Sequence, residues 1–472
     1  MKNDHRLPVA VAGGSTATAE VGAHTLRRGG SAADAAVAMT LAACTAETVF
    51  TGLAGGGFAT HFEAATGTTR CLDFFVTVPG LGGQPHPEPE RVLIDFGGQV
   101  VPYAVGPGTV AVPGLPAGVA RIHERWGVLE WAEVVQPALD LAETGVRFGD
   151  MQAKLLTTVA DAMLWGDGSA DYAPGGVLLD GDARLFHHGL ARSFQLLRNE
   201  GPSVFYTGEI AEALLAGLAG TALSDVDLTS YEPRETAPRE VTLDRYRVQA
   251  RGTDLDDLLG VLASLDLSGD DVETARVLVR ALRSHPRRGD TTSVAATDAA
   301  GNACAITTSL GLSSGVWLRE YGLHLNSMMG EGELLRGALV PGERMGSMMT
   351  PLVIHDEEGL CLVGGAAGGS RIRSALAQVI VRVVRESLPV ADAIRAPRLN
   401  PVPGRVHLEP GFDESVVEAL AADDSVVRWP ALDSYFGGVA AVDRFGPGAD
   451  PRRDGDTRRV ARGVSRAAPH VS

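Results

Sequence analysis

The sequence predicts a large soluble protein whose helices and strands pack in layers, either as one α/β or α+β body or as two or three domains. Three observations support this class. Of the 472 residues, 45% are hydrophobic, which is enough to offset the entropy lost on folding. Several stretches alternate as half-buried strands do, and others carry an apolar stripe at helical spacing.

The first elements are a strand, two helices and a second strand. Residues 8–12 are strand-like and end at a Gly-Gly turn, and an Ala/Thr-rich helix follows to about Arg28. Ser31 is a natural N-cap for a second helix over 32–44, whose small side chains suit close packing. Glycines open the next strand, at residues 53–62, and permit close backbone approach.

The middle of the chain is predicted to contain more helix than strand. Residues 80–117 are rich in Gly and Pro and are predicted to be loop. Helical periodicity over 117–145 predicts a helix that breaks before Pro137, and another helix is predicted over 207–218. The aspartates of residues 254–284 lack EF-hand spacing and are interpreted as a solvated helix face.

The C-terminal part begins with a strand hairpin over residues 291–311. Two further strands, at 352–355 and 360–363, lead through a glycine-rich turn to a helix over 370–387 with one apolar stripe. The tail after Arg452 is basic and is predicted to be loose.

Composition excludes several classes of function. The 41 basic and 58 acidic residues give a net charge of −17, which argues against nucleic acid as a partner. Only two residues are lysine, which argues against a Schiff-base cofactor, and no Gly-Lys pair exists for a phosphate-binding loop. The four cysteines and twelve histidines show no metal-ligand spacing, so neither cofactor nor metal is predicted. No export signal or membrane span is visible, and the isolated cysteines suit a reducing compartment, so the predicted location is cytoplasmic.

Three segments are candidates for an active site. Thr291 follows Asp290 at the start of the hairpin, and a threonine at a newly cut terminus has its own α-amine as a base. Residues 364–371 form a glycine turn at a helix N-terminus, where backbone N–H groups favour an oxyanion, although a plain turn explains them as well. The sequence around Ser313 matches a G-x-S-x-G nucleophile elbow, which requires a strand before it and a helix after it.

A series of motifs distinguishes these candidates. The chain resembles the γ-glutamyltranspeptidase family through segments that occur in one order over most of its length: GGSAADAAVAMTLAACTAETVFTGLAGGGF, VPGLPAG, VVQPALDLAETG, FYTGEIAEAL, DTTSVAATDAAGNACAITTSLG, GGAAGGSRI, AIRAPRLNP and ADPRRDG. The resemblance implies an α+β fold, the αββα sandwich of the N-terminal nucleophile hydrolases. It also implies a precursor that cuts itself between Asp290 and Thr291 into fragments 1–290 and 291–472, which remain associated as one body.

The resemblance assigns roles to residues that match the family's motifs. It makes Thr291 the nucleophile and, through its freed amine, the general base. Ser309 stands where the family usually has a supporting threonine, and Gly368 and Gly369 supply the oxyanion hole. Ser347 matches the first of two serines that contact the substrate carboxylate.

Other positions depart from the family. Phe75 stands where an arginine grips the substrate α-carboxylate, so an apolar ring replaces a bidentate cation. The remaining departures replace polar substrate contacts: Gly311 for asparagine, Met328 for glutamine, Met348 for the second serine, and Glu331 for the aspartate that binds the α-amine. Most of the grip on an α-amino acid is lost, and loss of a buried charged pair costs about 2–5 kcal/mol.

These departures predict a small-molecule hydrolase with a rebuilt substrate site. The chain resembles relatives in alkylproline antibiotic biosynthesis, to which hydrolysis of a carbon–carbon bond in a DOPA-derived ring is assigned. One alternative is a γ-glutamyl hydrolase or transferase with an altered donor site. Another, of a different class, is an inactive relative that serves as a scaffold.

Overall fold

The protein was analysed as a computed structural model that describes residues 6–95, 100–252, 257–283, 291–335, 337–369 and 371–461. In that part of the chain the strands are β1 (Ala10–Gly13), β2 (Gly56–Glu63), β3 (Thr68–Phe74), β4 (Glu90–Asp95), β5 (Val100–Val105), β6 (Val146–Arg147), β7 (Arg184–Leu185), β8 (Arg234–Thr236), β9 (Arg239–Leu243), β10 (Tyr246–Ala250), β11 (Thr292–Thr297), β12 (Ala303–Ser309), β13 (Trp317–Leu318), β14 (Leu323–His324), β15 (Leu352–Asp356), β16 (Gly359–Ala367), β17 (Leu399–Val402), β18 (Arg405–Leu408), β19 (Ser425–Arg428), β20 (Gly438–Asp443), β21 (Gly446–Ala449) and β22 (Asp456–Arg459). The α-helices are α1 (Thr16–Arg27), α2 (Ala32–Ala46), α3 (Leu115–Trp126), α4 (Trp131–Thr144), α5 (Asp150–Met163), α6 (Ser169–Tyr172), α7 (Leu190–Glu200), α8 (Glu209–Gly217), α9 (Asp225–Thr229), α10 (Leu258–Ala263), α11 (Asp271–Leu282), α12 (Arg371–Arg385), α13 (Val390–Arg395) and α14 (Glu414–Ala421).

Two large sheets pack face to face at the centre of the molecule. The first has the order β22-β1-β11-β12-β2-β3-β8 and the second the order β21-β20-β16-β15-β10-β9. Strands β11 and β12 lie against β16 and β20, while α1 and α2 cover the outer face of the first sheet and α12 covers that of the second. The expected αββα sandwich is therefore confirmed, and strands from both sides of Thr291 contribute to each sheet.

Several local predictions are confirmed. Ser31 caps α2 in a capping box with Asp34, and the hairpin β11–β12 forms as the alternation predicts. All four cysteines are buried and free. Among the described helices, none combines the length and the apolar character needed to cross a bilayer.

Four predictions are wrong. Residues 80–117 are not all loop, because they hold the hairpin β4–β5 and the start of α3. The helical break falls at residues 127–130, between the end of α3 and the start of α4, and Pro137 lies inside α4. The glycine turn is shorter than expected, since β16 runs to Ala367. The tail after Arg452 is not loose as far as residue 459, because β22 pairs with β1.

Candidate active site

Thr291 lies at the end of the first sheet, directly before β11. Thr292 pairs with Thr308, so the antiparallel register continues to Thr291 opposite Ser309, which ends β12. Both side chains are buried, with exposures of 3% and 4%. The hairpin thus brings together the two hydroxyl residues that the resemblance selects. Asp290, on the other side of the predicted cleavage point, lies outside the described residues.

Gly368 links Thr291 to the second sheet. Its backbone N–H donates to Oγ1 of Thr291 at 2.8 Å. Gly368 and Gly369 have φ values of +116° and +56°, in the region that favours glycine, and they directly precede α12. A Cβ added at Gly368 would lie 2.9 Å from Cα of Gly437, so the backbones meet closely here. The N-terminal end of a helix is positive, so an anion that forms beside Thr291 is favoured.

The buried carboxyl of Glu47 lies beside Thr292, at the start of β11. Glu47 accepts hydrogen bonds from the hydroxyls of Thr18, at 2.5 Å, and of Thr292. Burial raises the pKa of Glu47, while those hydrogen bonds and the charge of Arg453 lower it. Glu47 and Arg453 line a cleft together with Thr291. Sequence reasoning missed Glu47, although a lone acidic residue at the end of an Ala-rich buried helix marks it.

Ser309, Gly311 and Glu331 meet beside the catalytic candidates. The N–H of Gly311 donates to Oγ of Ser309 at 3.1 Å. Gly311 has a φ of +76°, and a Cβ there would lie 2.7 Å from Oε1 of Glu331. Glu331 is 2% exposed, so a carboxyl is held in the interior next to this loop. A side chain in place of Gly311 would occupy the space that this carboxyl fills.

Phe75 lies across β2 from Ser309. Ser309 pairs with Gly56, and a Cβ added at Gly56 would lie 3.0 Å from Cα of Phe75. Phe75 is therefore three strand spacings from Thr291, or roughly 14 Å at the usual strand spacing of about 4.8 Å. Its ring lies 5.4 Å from that of Phe58, which also points away from the α1–α2 layer.

Methionines complete this apolar region, which we call the Met–Phe cluster. It belongs to the buried core beneath the second sheet and comprises Phe58, Phe75, Met328, Met329, Met345, Met348 and Met349. Each of these side chains is at most 6% exposed. Thioethers and rings are polarisable, adaptable and uncharged, so this packed cluster offers a substrate no charged partner of its own.

An arginine does lie at the Met–Phe cluster, but it comes from the end of β10. The guanidinium carbon of Arg251 lies 3.5 Å from the centroid of the Phe58 ring. Arg251 donates to the carbonyls of Ser347, at 2.6 Å, and Met349, at 2.8 Å. The Ser347 hydroxyl accepts the N–H of Met349 at 3.2 Å. Sequence reasoning missed Arg251, because no motif surrounds it and only the folded chain brings β10 to Phe58.

Ser313 does not form the elbow that its motif predicts. Oγ of Ser313 lies 2.5 Å from Nε2 of His324, but the segment after it is β13 and not a helix. Burial lowers the pKa of His324 to about 3, so this imidazole is a poor base. No three His, Cys, Asp or Glu side chains in the described ranges group as metal ligands would.

Known proteins of two kinds are similar to this chain. The sequence pattern of the family described as Gamma-glutamyltranspeptidase matches residues 18–283 and 260–460. The Acylase ACY 1 proenzyme of Pseudomonas sp. (strain V22) is 27% identical over 94% of this chain and 92% of its own length. The Glutathione hydrolase 5 proenzyme of Rattus norvegicus is 26% identical over 93% and 89%. The crystal structure of cephalosporin acylase from Bacillus halodurans superposes with a TM-score of 0.81 at 20% identity, covering 96% of both chains, and shares the fold.

Proposed function

Because the chain belongs to the γ-glutamyltranspeptidase family of hydrolases and transferases, we propose that it cuts itself before Thr291 and then uses Thr291 as an N-terminal nucleophile. The hydrogen bond from the Gly368 N–H to Thr291 Oγ1 carries this proposal. It aims a backbone donor, from a turn at a helix N-terminus, at the atom that would attack. Fragments 1–290 and 291–472 would stay together, since each contributes strands to both sheets.

The proposed reaction uses the freed amine of Thr291 as base and acid. An α-amine has a pKa of about 7.7–8.0, so it can take the Oγ1 proton near neutrality. Oγ1 then bonds to the substrate carbonyl carbon, and the N–H groups of Gly368 and Gly369 stabilise the oxyanion. Collapse breaks the bond to the leaving group, which receives the proton from the ammonium. Water attacks the acyl-threonine in the same way and releases the acid.

The Met–Phe cluster supports an apolar or flat acyl group in the substrate. No arginine occupies position 75, and Gly311, Met328 and Met348 offer no side-chain hydrogen bonds to an α-amino acid. The hydroxyl of Ser347 is already bonded to its own loop, and Arg251 donates to two backbone carbonyls. The α-amino and α-carboxylate charges of a γ-glutamyl group would therefore be poorly matched by the side chains of this region.

The finer form of the proposal is a cytoplasmic enzyme of antibiotic biosynthesis that hydrolyses a carbon–carbon bond in a DOPA-derived alkylproline precursor. Attack of Oγ1 on a ketone carbon forms the same tetrahedral oxyanion. Collapse then breaks the bond to the ring carbon, which takes the proton, and leaves an oxalyl ester for water to cleave. The rings and thioethers of the Met–Phe cluster carry no charge, which favours a planar ring over a γ-glutamyl chain, and the guanidinium of Arg251 beside them already donates to two backbone carbonyls.

Two p-nitroanilides with the same leaving group test the proposal. We expect the processed protein to hydrolyse phenylacetyl-p-nitroanilide at least tenfold faster than γ-glutamyl-p-nitroanilide, and Thr291→Ala to hydrolyse neither. Faster turnover of the γ-glutamyl compound would favour a γ-glutamyl hydrolase or transferase with an altered donor site. A chain that stays whole and acts on neither compound would favour the scaffold alternative.

A further inference from the structure

A second cavity, of about 210 Å³, lies between α11, α12 and α14, away from Thr291. The exposed residues Glu386 and Asp413 stand at its rim. Part of its wall is apolar and includes Ala275, Leu278, Val381, Leu399, Phe412 and Val416, while Thr274, Gln378 and Arg382 contribute polar groups. A cavity of roughly 150 Å³ with apolar walls accommodates benzene, so this one is large enough for a small organic ligand.

Among the described residues, no salt bridge joins Arg382, which lines this cavity, to a carboxylate. Arg382 donates through Nη2 to the carbonyl of Pro397, while its Nη1 is buried and has no hydrogen-bond partner within the described ranges. The contrast with other arginines nearby is clear. Arg398 pairs with Asp450 at 2.5 Å, and Arg385, one turn further along α12, pairs with Asp271 at 3.0 Å.

Burial makes the solitary charge of Arg382 costly. Burial and the charge of the neighbouring Arg398 together lower the pKa of Arg382 to about 10, although the charges of Glu386 and Glu409 raise it. An anion bonded to Nη1 would satisfy the buried donor and offset this cost, because a charge-assisted hydrogen bond is stronger than a neutral one.

We infer that this cavity binds a small monocarboxylate whose carboxylate pairs with Arg382 and whose apolar body lies against α11 and α14. Asp271, Glu386 and Asp413 also line the cavity. Their carboxylates disfavour a ligand that carries more than one negative charge. A phosphate or dicarboxylate would bring a second negative charge near these groups, whereas a monocarboxylate meets the guanidinium alone. This ligand site is separate from the proposed reaction.

Distance keeps the two sites apart. Arg382 lies eleven residues beyond Arg371, the first residue of α12, which follows the glycine turn at Thr291. At a rise of 1.5 Å per residue, the helix carries it about 17 Å from that turn. A ligand in the cavity therefore does not occupy the space of a substrate at Thr291.

Calorimetric titration with hexanoate and its neutral counterpart hexanamide tests this inference on the full processed protein. We expect hexanoate to bind at least tenfold more tightly than hexanamide. The Arg382→Gln variant should lose that preference, while Arg395→Gln, at an exposed arginine of α13, should keep it. The cavity-filling variant Ala275→Phe should weaken both ligands at least tenfold, which covers the case in which Arg382→Gln fails to fold.

Three results would overturn the inference. The first is no binding of either probe, and the second is equal binding of the two by the unaltered protein. The third is a hexanoate preference that survives in a folded Arg382→Gln protein, or hexanoate binding that is unchanged in a folded Ala275→Phe protein, because the carboxylate would then be bound elsewhere.

Discussion

Replacing Gly368 by alanine perturbs the contact on which the proposed reaction depends. Gly368 has a φ of +116°, and a Cβ there would lie 2.9 Å from Cα of Gly437 and 3.2 Å from Nη2 of Arg453. The backbone at Gly437 cannot yield as a side chain would, so the Gly368 N–H must shift by several tenths of an ångström. We expect kcat to fall about 10²–10³-fold, which is the usual effect of losing one oxyanion donor.

Gly359 provides a matched control. It begins the same strand, has a φ of +128°, and has nothing within 4 Å of an added Cβ. Both alanine variants bear the backbone strain of about 1–3 kcal/mol, but only Gly368→Ala also meets Gly437. Turnover of phenylacetyl-p-nitroanilide and the free energy of unfolding, measured for both, separate strain from catalysis. Similar kcat values for the two variants would refute the role given to Gly368.

Three further predictions concern Phe75 in the proposed substrate pocket, the buried His61 and the buried carboxyl of Glu47. Phe75→Arg should lower KM for γ-glutamyl-p-nitroanilide at least tenfold, because it restores a carboxylate partner, whereas Phe75→Leu should not; an unchanged KM would mean that position 75 does not face the donor. Burial lowers the pKa of His61 to about 3, so the unfolded chain takes up a proton that the folded chain does not as pH falls below 6.5. Urea unfolding should therefore show that His61→Gln reduces the stability lost between pH 7 and pH 5 by about 2 kcal/mol, and an unchanged pH dependence would contradict the burial argument. Glu47→Ala should lower the free energy of unfolding by about 1–3 kcal/mol more than Glu47→Gln, because the glutamine amide can accept from one of the Thr18 and Thr292 hydroxyls and donate to the other, whereas alanine leaves both without this partner; equal losses would refute this.

Local patterns predicted the secondary structure around Thr291. The alternation over residues 291–311 predicted the hairpin, and the hairpin register alone brings Thr291 opposite Ser309. The glycines before α12 indicated an oxyanion site through helix-terminus chemistry; the Gly368 N–H donates to Thr291 Oγ1, and the oxyanion role itself stays a prediction. These features depend on neighbours in sequence or on one short turn.

Features that depend on distant segments were missed. Met345 lies beside the segment that follows β3 because its N–H donates to the carbonyl of Val76, at 3.1 Å, and no local pattern in either segment predicts that pairing. Arg251 meets Phe58 only because β10 and β2 belong to sheets that pack together. The β4–β5 hairpin was not predicted, because prolines and glycines flank its two short alternating runs.

The errors at Pro137 and in the tail after Arg452 have simple causes. Pro137 was expected to end a helix because it lacks an N–H, but α4 accommodates it at the seventh residue. The buried Arg452 pairs with Glu409 and Asp450, and β22 pairs with β1, so contacts with distant segments order a tail that composition alone describes as basic and polar.

The intact mass of the purified protein, beside that of Thr291→Ala, tests the central claim most directly. Cleavage before Thr291 should yield two chains, 1–290 and 291–472, while the variant stays whole because it lacks the attacking hydroxyl. An unaltered protein that remains a single chain, or a Thr291→Ala protein that is still cut at this point, would contradict the account.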